Sequence, residues 1–322
     1  MIFDGGTGFL LAIADMRDTL PSEVTDLVFQ FSDNDQVKLM LPLLICLFAV
    51  WCLDKKYTTF IGLNLLNTVS LVSMLKIIFA VPRPWVINPD VRAVEEAVPG
   101  AYDPSFPSGH TAAAAMAWGS LAVILRRHKI VVILCCIIIG LAGFSRLFLC
   151  VHTPLDVIGG IILALLALLI NWKLACYLEA HPEKDITVAL IDGGALSVLW
   201  LSGLILPTYV ESTAGFVTVF PGNVSTVVSG LALTWGFFAC WIVSRRFVQY
   251  TPPKKWSRRI IVFAAGAVST ALLLLPLKLL VLAGWTEKTA ADSLLYLALI
   301  IYTILIYPLI VKLIAKKCQT KE

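Results

Sequence analysis

A series of long apolar runs, each about as long as a bilayer is thick, limits what this chain can fold into. Of its 322 residues, 59% are hydrophobic and 14% are charged, and the mean hydropathy of +0.87 is far above that of soluble domains. Inside lipid, only helices and closed barrels satisfy every backbone polar group. Because the runs do not alternate with polar residues, they predict an all-α, polytopic membrane bundle.

A bilayer core of about 30 Å needs roughly 20 mostly apolar residues per helix. The hydropathy pattern predicts about nine transmembrane helices, at residues 38–53, 57–81, 108–125, 130–150, 154–178, 187–209, 223–243, 260–284 and 290–313.

Basic residues are concentrated in every second connection between these runs. Cytoplasmic loops carry an excess of lysine and arginine, so the pattern predicts an N-terminus outside and a C-terminus inside. The basic residues that identify the inner side are Lys55, Lys56, Arg126, Arg127, Lys129, Lys173, Lys184, Arg245, Arg246, Lys254, Lys255, Arg258, Arg259, Lys312, Lys316, Lys317 and Lys321.

The chain divides by composition into three predicted segments. Residues 1–36 contain two short runs separated by Pro21, with several acidic residues and no basic n-region, so we expect interfacial helices rather than a signal peptide; a short extra span is the alternative. Residues 37–180 hold five spans and every chemical motif. Residues 181–322 form a four-helix extension of unknown role.

The first motif is "KIIFAVPRP", in which Lys76 and Arg83 lie two helical turns apart. Pro82 and Pro84 predict that the helix stops near Val81. Cations at a span end often snorkel to the interface. Because these cations fall on the outer side, where basic residues are otherwise scarce, an anionic ligand is the alternative explanation.

The second motif, "PSGH", places Ser108 and Gly109 at the start of a span with His110 in its first turn. Serine is a favoured N-cap, and the N–H groups of a helix start attract anions. An ordinary capped helix with an interfacial histidine would have the same sequence, so this motif alone leaves both interpretations open.

The third motif, "SRLFLCVHTPLD", contains Arg146, His152 and Asp156. If the head of the following span is helical, His152 and Asp156 are i,i+4 neighbours, and the carboxylate can accept a hydrogen bond from the imidazole. That bond would fix the tautomer and leave the other nitrogen as a nucleophile or base. A structural salt bridge is the alternative.

Loop charge places all three motifs on the same side of the membrane, although whole spans separate two of them. The composite of Lys76-x6-Arg83-Pro84, Pro107 to His110, and Ser145-Arg146-x5-His152-x3-Asp156 closely resembles the signature of the type 2 phosphatidic acid phosphatase superfamily. The resemblance covers residues 76–156.

The resemblance implies a metal-independent phosphatase with no cofactor. His152 would attack phosphorus and form a phosphohistidine, Asp156 would orient His152, and His110 would protonate the leaving oxygen. The remaining motif residues would bind the phosphate oxygens: Lys76, Arg83, Ser108, Gly109 and Arg146. Such roles agree with phosphoryl transfer, in which fixed cations and amide groups stabilise the charge on the equatorial oxygens.

The sequence therefore predicts an integral membrane phosphatase that acts on a lipid phosphate or diphosphate at the outer face. The expected substrates are phosphatidate, phosphatidylglycerophosphate or a polyprenyl diphosphate; the expected partners are membrane lipids, with no nucleic acid. The C-terminal sequence favours a bacterial plasma membrane. The nine-span layout is similar to that of glucose-6-phosphatase, so a sugar-phosphate phosphatase stays open, as does a lipid phosphotransferase or transporter.

Overall fold

The computed structural model describes residues 6–32, 35–101, 103–205, 207–211, 217–221, 224–282 and 288–319. These ranges are mostly helical, as the sequence predicts, but they also contain one antiparallel pair of strands that the sequence did not predict. The helices are α1 (Thr7–Asp18), α2 (Ser22–Ser32), α3 (Asp35–Cys52), α4 (Lys55–Phe79), α5 (Pro84–Ile87), α6 (Gly109–Ile124), α7 (Lys129–Phe148), α8 (Pro154–Ala180), α9 (Asp185–Ser202), α10 (Val224–Val243), α11 (Trp256–Leu282), α12 (Lys288–Ile301) and α13 (Tyr307–Gln319).

Within the described ranges, seven helical segments are long and apolar enough to cross a membrane. They correspond to seven of the nine predicted spans. The other two predicted spans, 38–53 and 108–125, coincide with α3 and with α6, which is 16 residues long. The protein is thus a multi-pass membrane protein, while the count of nine and the orientation stay predictions.

The predicted span at 187–209 extends too far, because α9 ends at Ser202. Strand β1 (Pro207–Glu211) then pairs antiparallel with β2 (Val217–Pro221). Proline disfavours helix in the residue before it, and both strands are rich in the β-branched and aromatic residues that favour extended backbone. Parts of the predicted segments 1–36, 187–209, 223–243 and 260–284 lie outside the described residues.

The chain forms two compact units, and the first contains all three motifs. This unit comprises Met1–Leu43, Asn64–Asn171 and Ser202–Gly222. Helices α6 and α7 form an antiparallel pair joined by a short turn, and α1 and α2 pack on α7. The predicted boundaries at residues 37 and 180 stay a prediction.

Helix α1 packs against the connection that follows α7. Leu10, Ile13 and Ala14 share a buried apolar cluster with Leu149 and Val151, which lie in the connection that contains His152. Tight apolar packing of this kind removes alternative side-chain arrangements.

Arg17, also in α1, is buried and joins this connection to the segment that follows α5. Its guanidinium donates to the carbonyl oxygen of Phe148 at 3.2 Å and to that of Arg92 at 2.9 Å. The last carbonyls of a helix lack intrahelical partners, and a basic side chain can satisfy them. The N-terminal helix therefore holds the end of α7 in place.

A chain of polar side chains connects α4, α6 and α8 inside this unit. Asn64 donates to Ser120 at 3.0 Å, Asn171 donates to Asn64 at 3.3 Å, and Asn67 donates to Asn171 at 2.9 Å. Hydrogen bonds between membrane helices fix their relative rotation and register. The same three helices carry Lys76, Gly109, His110 and Asp156 at their ends.

The second unit comprises Leu44–Leu63, Trp172–Leu201 and Asn223–Glu322. Helix α10 packs on α12, and α12 packs on α11. Close packing is possible because glycines face large rings: a Cβ at Gly230 would lie 2.3 Å from the Trp200 indole, and one at Gly266 would lie 2.3 Å from Trp51. Small residues allow membrane helices to approach closely.

Candidate active site

The connection between α7 and α8 is short and fixed by its own hydrogen bonds. Cys150 adopts a left-handed φ of 56° and reverses the chain after α7. Thr153 precedes Pro154, the first residue of α8. The Thr153 N–H donates to Asp156 Oδ2 at 2.7 Å, and the Asp156 N–H donates to Thr153 Oγ1 at 3.3 Å. This reciprocal pair is a capping box, and it holds the Asp156 carboxylate at the head of α8.

His152 and Asp156 are neighbours, as their spacing predicts, and both are almost completely buried. The distance from His152 Nδ1 to Asp156 Oδ2 is 3.6 Å, which is slightly too long for the predicted direct hydrogen bond. Ser105 bridges the two side chains. Its hydroxyl donates to Asp156 Oδ2 at 2.6 Å and lies 3.4 Å from His152 Nδ1.

The other ring nitrogen of His152 faces Arg83. Arg83 Nη1 lies 3.1 Å from His152 Nε2 and also donates to the Val151 carbonyl oxygen at 2.8 Å. Because a guanidinium has only donors, Nε2 must be the acceptor in this contact. We therefore assign the proton of the neutral ring to Nδ1, which faces Ser105 and Asp156, and the lone pair to Nε2.

Lys76 and Arg83, from the end of α4 and the start of α5, meet at one carboxylate that the sequence analysis did not single out. Lys76 Nζ lies 2.9 Å from Asp103 Oδ2, and Arg83 Nη2 donates to Asp103 Oδ1. Both cations are buried, whereas the Asp103 side chain is 55% exposed. The pair of cations thus holds an anionic group at the open edge of the site, next to His152.

The "PSGH" motif meets the head of α8, as expected for a common site. The Ser108 N–H donates to the carbonyl oxygen of Asp156 at 3.0 Å. The Ser108 side chain is the N-cap of α6 and contacts Thr111 Oγ1 at 2.9 Å. Gly109 lies beside Lys76, since a Cβ at Gly109 would be 3.8 Å from Lys76 Cε.

His110 and Arg146 belong to the same unit as these residues. Half-buried His110 follows Gly109 in the first turn of α6, and buried Arg146 lies in the last turn of α7. The Arg146 carbonyl oxygen accepts a hydrogen bond from the Val151 N–H at 3.2 Å, one residue before His152. All eight predicted site residues therefore belong to one unit. Direct contacts connect Arg83, Ser108, His152 and Asp156, and Asp103 joins Lys76 to Arg83.

Two glycines of α8 were also missed by the sequence analysis. A Cβ at Gly160 would lie 2.6 Å from the Ser108 carbonyl oxygen, and one at Gly159 would lie 2.4 Å from the Phe106 ring. The absence of a side chain at these positions lets α8 approach the segment that precedes α6. The signal was available in the adjacent glycines of "DVIGG", inside an otherwise bulky apolar run.

Electrostatics set the protonation of the site. Burial lowers the pKa of His152 well below its usual range, and Arg83 lowers that pKa further, while Asp156 opposes the shift. His152 is therefore neutral near pH 7. Burial would raise the pKa of Asp103, but Lys76 and Arg83 outweigh burial and bring the Asp103 pKa to about 2, so Asp103 is ionised.

Among the described residues, no three His, Cys, Asp or Glu side chains are grouped so that they could hold a metal ion.

The region that contains the site is similar to known proteins. The PAP2 superfamily model matches residues 57–180, which include all eight predicted site residues. Undecaprenyl-diphosphatase BcrC of Bacillus subtilis (strain 168) is 28% identical over 151 residues, or 45% of this chain and 73% of that protein. No solved structure is significantly similar to the chain.

Replacing Gly160 should destabilise the unit that contains the site. The Cβ of Gly160→Ala would collide with the Ser108 backbone, and such overpacking typically costs about 1–3 kcal/mol. The matched control is Gly140→Ala in α7, where a Cβ meets nothing within 4 Å and the better helix former should be neutral or stabilising. Thermal unfolding of both purified variants in detergent would check this; equal midpoints would contradict the close approach.

Proposed function

We propose that this chain, a membrane phosphatase whose residues 57–180 belong to the PAP2 superfamily, hydrolyses the terminal phosphate of a lipid diphosphate through a phosphohistidine intermediate at the outer membrane face. The observation that carries the proposal is the buried, neutral His152, whose Nε2 lone pair faces Arg83 while Arg83 and Lys76 together hold a carboxylate.

The proposed chemistry follows from this arrangement. A terminal phosphate would replace the Asp103 carboxylate between Lys76 and Arg83, and the movement of Arg83 toward the phosphate would uncover Nε2 of His152. Arginine suits this task because its planar fork binds two oxygens at once and stays charged. Cations fixed in a water-poor site stabilise the charge that spreads over the phosphoryl oxygens.

In the first step, His152 Nε2 forms a bond to phosphorus, and the bond from phosphorus to the bridging oxygen breaks. His110 donates a proton to the departing oxygen of the lipid monophosphate. The imidazolium that forms at His152 is stabilised by Asp156, with Ser105 holding the carboxylate in position. In the second step, His110 takes a proton from water, the water oxygen bonds to phosphorus, and the phosphorus–nitrogen bond breaks to release inorganic phosphate.

Three observations support a lipid diphosphate as the substrate and the outer face as its location. The similar protein from Bacillus subtilis is named as an undecaprenyl-diphosphatase. The site residues lie at the ends of long apolar helices, where a headgroup can reach them while the lipid tail stays in the membrane. The basic loops assign the other end of these helices to the cytoplasm.

The deciding experiment is a substrate panel on the purified protein. We expect release of inorganic phosphate from a polyprenyl diphosphate to have a kcat/KM at least about tenfold above that from glucose 6-phosphate, since only the lipid gains binding energy from its tail. Preference for the sugar phosphate would overturn the lipid assignment.

EDTA should leave the rate unchanged; a loss of activity that Mg²⁺ restores would contradict a metal-independent mechanism.

His152→Ala should abolish turnover. Without the nucleophile, kcat/KM should fall by at least about 10³-fold, and acid-labile radioactivity from a terminally ³²P-labelled diphosphate should no longer be trapped on the quenched protein. His128→Ala is the matched control, because His128 is exposed in the turn between α6 and α7. A folded His152→Ala protein with wild-type turnover would exclude the proposed role.

Asp103→Asn should lower KM by about two- to fivefold, because the Asp103 carboxylate competes with the substrate for Lys76 and Arg83. The effect is small because ion pairs of an exposed carboxylate are weak. A carboxyl whose pKa is depressed to about 2 stays ionised above pH 4 and gains a proton only as the pH falls toward 2. The ratio of the two KM values should therefore be constant from pH 5 to 8.

Steady-state kinetics at several pH values would measure this ratio. Asp90→Asn, in the exposed segment after α5, is the charge-matched control and should leave KM unchanged. A raised KM in Asp103→Asn would mean instead that the carboxylate positions Lys76 and Arg83 for the substrate.

A further inference from the structure

The second unit contains a cavity of about 600 Å³ that plays no part in the proposed reaction. It is lined by the start of α4, the end of α8, the start of α9 and the residues that follow α10. Its basic lining residues are Lys55, Lys56, Arg245 and Arg246. A cavity of this size could hold the headgroup of a lipid or another small molecule.

Two of these four cations are neutralised by neighbouring carboxylates. Lys56 Nζ lies 3.0 Å from Glu179, and Arg246 binds both oxygens of Asp185, with Nε 3.1 Å from Oδ2. The remaining acidic lining residue, Glu183, lies 3.6 Å from His181. The three acidic side chains thus each have a basic neighbour.

The other two cations have no ion-pair partner among the described residues. Lys55 is exposed at the cavity, and no carboxylate in the described ranges lies within ion-pair distance of it. Among the described residues, Arg245 donates to uncharged oxygens, those of Thr59 at 3.3 Å and Leu178 at 3.1 Å, and the charge of Asp185 attracts it from beyond ion-pair distance. Lys55 is close enough to Arg245 and Lys312 for mutual repulsion, so the cluster has an excess of positive charge that an anion would compensate.

The backbone around Arg245 is arranged to present this charge. Helix α10 passes into a π-helical turn at Ser244–Val248, and Gln249 ends it with a left-handed φ of 48°. The widened turn places both Arg245 and its neighbour Arg246 at the cavity wall. A π-helical turn inside or at the end of a helix is frequently found at a functional site.

Two tryptophan rings contact cations of the cluster. Lys56 lies over the Trp172 ring at 4.8 Å, and Arg245 lies over the Trp241 ring at 5.1 Å. Arg245 lies within the apolar segment Thr226–Val248, close to its end, so an anion at this depth would meet both membrane and water.

We propose that this cavity is a binding site for a phosphate-bearing anion, held by Lys55 and Arg245, and that the occupant is the headgroup of an anionic phospholipid. Basic pockets between transmembrane helices bind such headgroups on the cytoplasmic side, the side to which loop charge assigns these residues. A free phosphate has the same chemistry as the headgroup and would be the alternative source. The inference does not rest on the proposed catalytic function.

The test is the thermal unfolding midpoint of the full-length protein in detergent micelles titrated with phosphatidylglycerol, phosphatidylcholine or inorganic phosphate. Phosphatidylglycerol should raise the midpoint more than phosphatidylcholine does. In Lys55→Gln, the phosphatidylglycerol needed for half of the effect should rise by at least about threefold, since one exposed charge contact is lost. Lys55→Arg, which keeps the charge, should retain the wild-type dependence.

The control is Lys129→Gln, which makes the same charge change at an exposed residue of the first unit and should behave like the wild type. If inorganic phosphate alone produces the Lys55-dependent shift, the site stands and its ligand is a soluble anion. If Lys55→Gln responds to every additive as the wild type does, or if phosphatidylcholine is as effective as phosphatidylglycerol, the proposed site is wrong.

Discussion

The structure of the candidate site depends on the compensation of charge that is buried at the ends of apolar helices. Lys76, Arg83, Arg146 and Asp156 are each almost completely buried, and an ion removed from water loses several kcal/mol of solvation unless it is paired and hydrogen-bonded. Three features compensate these charges. Asp103 pairs with two of the cations, a capping box surrounds Asp156, and backbone carbonyl oxygens accept hydrogen bonds from Arg83. The surrounding helices must pack so that these partners stay in place.

The same charged groups set the protonation state of His152. Arg83 contacts His152 Nε2, so the ring keeps its lone pair on the side where the cations hold an anion. Burial and the Arg83 charge keep the His152 pKa low, so the imidazole is neutral at physiological pH, as the proposed nucleophile must be. Asp103 is the shared counter-ion of Lys76 and Arg83 and prevents two buried cations from facing each other without a carboxylate.

The two units differ in how many of their basic residues are paired with carboxylates. In the first unit, Lys76 and Arg83 share one carboxylate, and the segment that bears it also contains Ser105 and leads into the "PSGH" motif. In the described part of the second unit, carboxylates pair with Lys56 and Arg246 but not with Lys55 or Arg245. Uncompensated charge beside a cavity is unfavourable for an isolated protein. At a membrane surface, the abundant anionic headgroups can compensate this positive charge.

The sequence by itself determined the helical membrane architecture, the eight candidate site residues and the neighbouring positions of His152 and Asp156, because hydropathy and i,i+4 spacing are local properties of the chain. It did not determine the end of α9, where strand-forming residues outweighed an apolar run. Only the tertiary structure decided that Ser105 bridges His152 and Asp156, that Asp103 joins Lys76 to Arg83, and that Gly160 admits the Ser108 backbone. These contacts join segments 20 to 52 residues apart in the sequence, and their geometry is fixed by how α4, α6 and α8 pack, which no local pattern encodes.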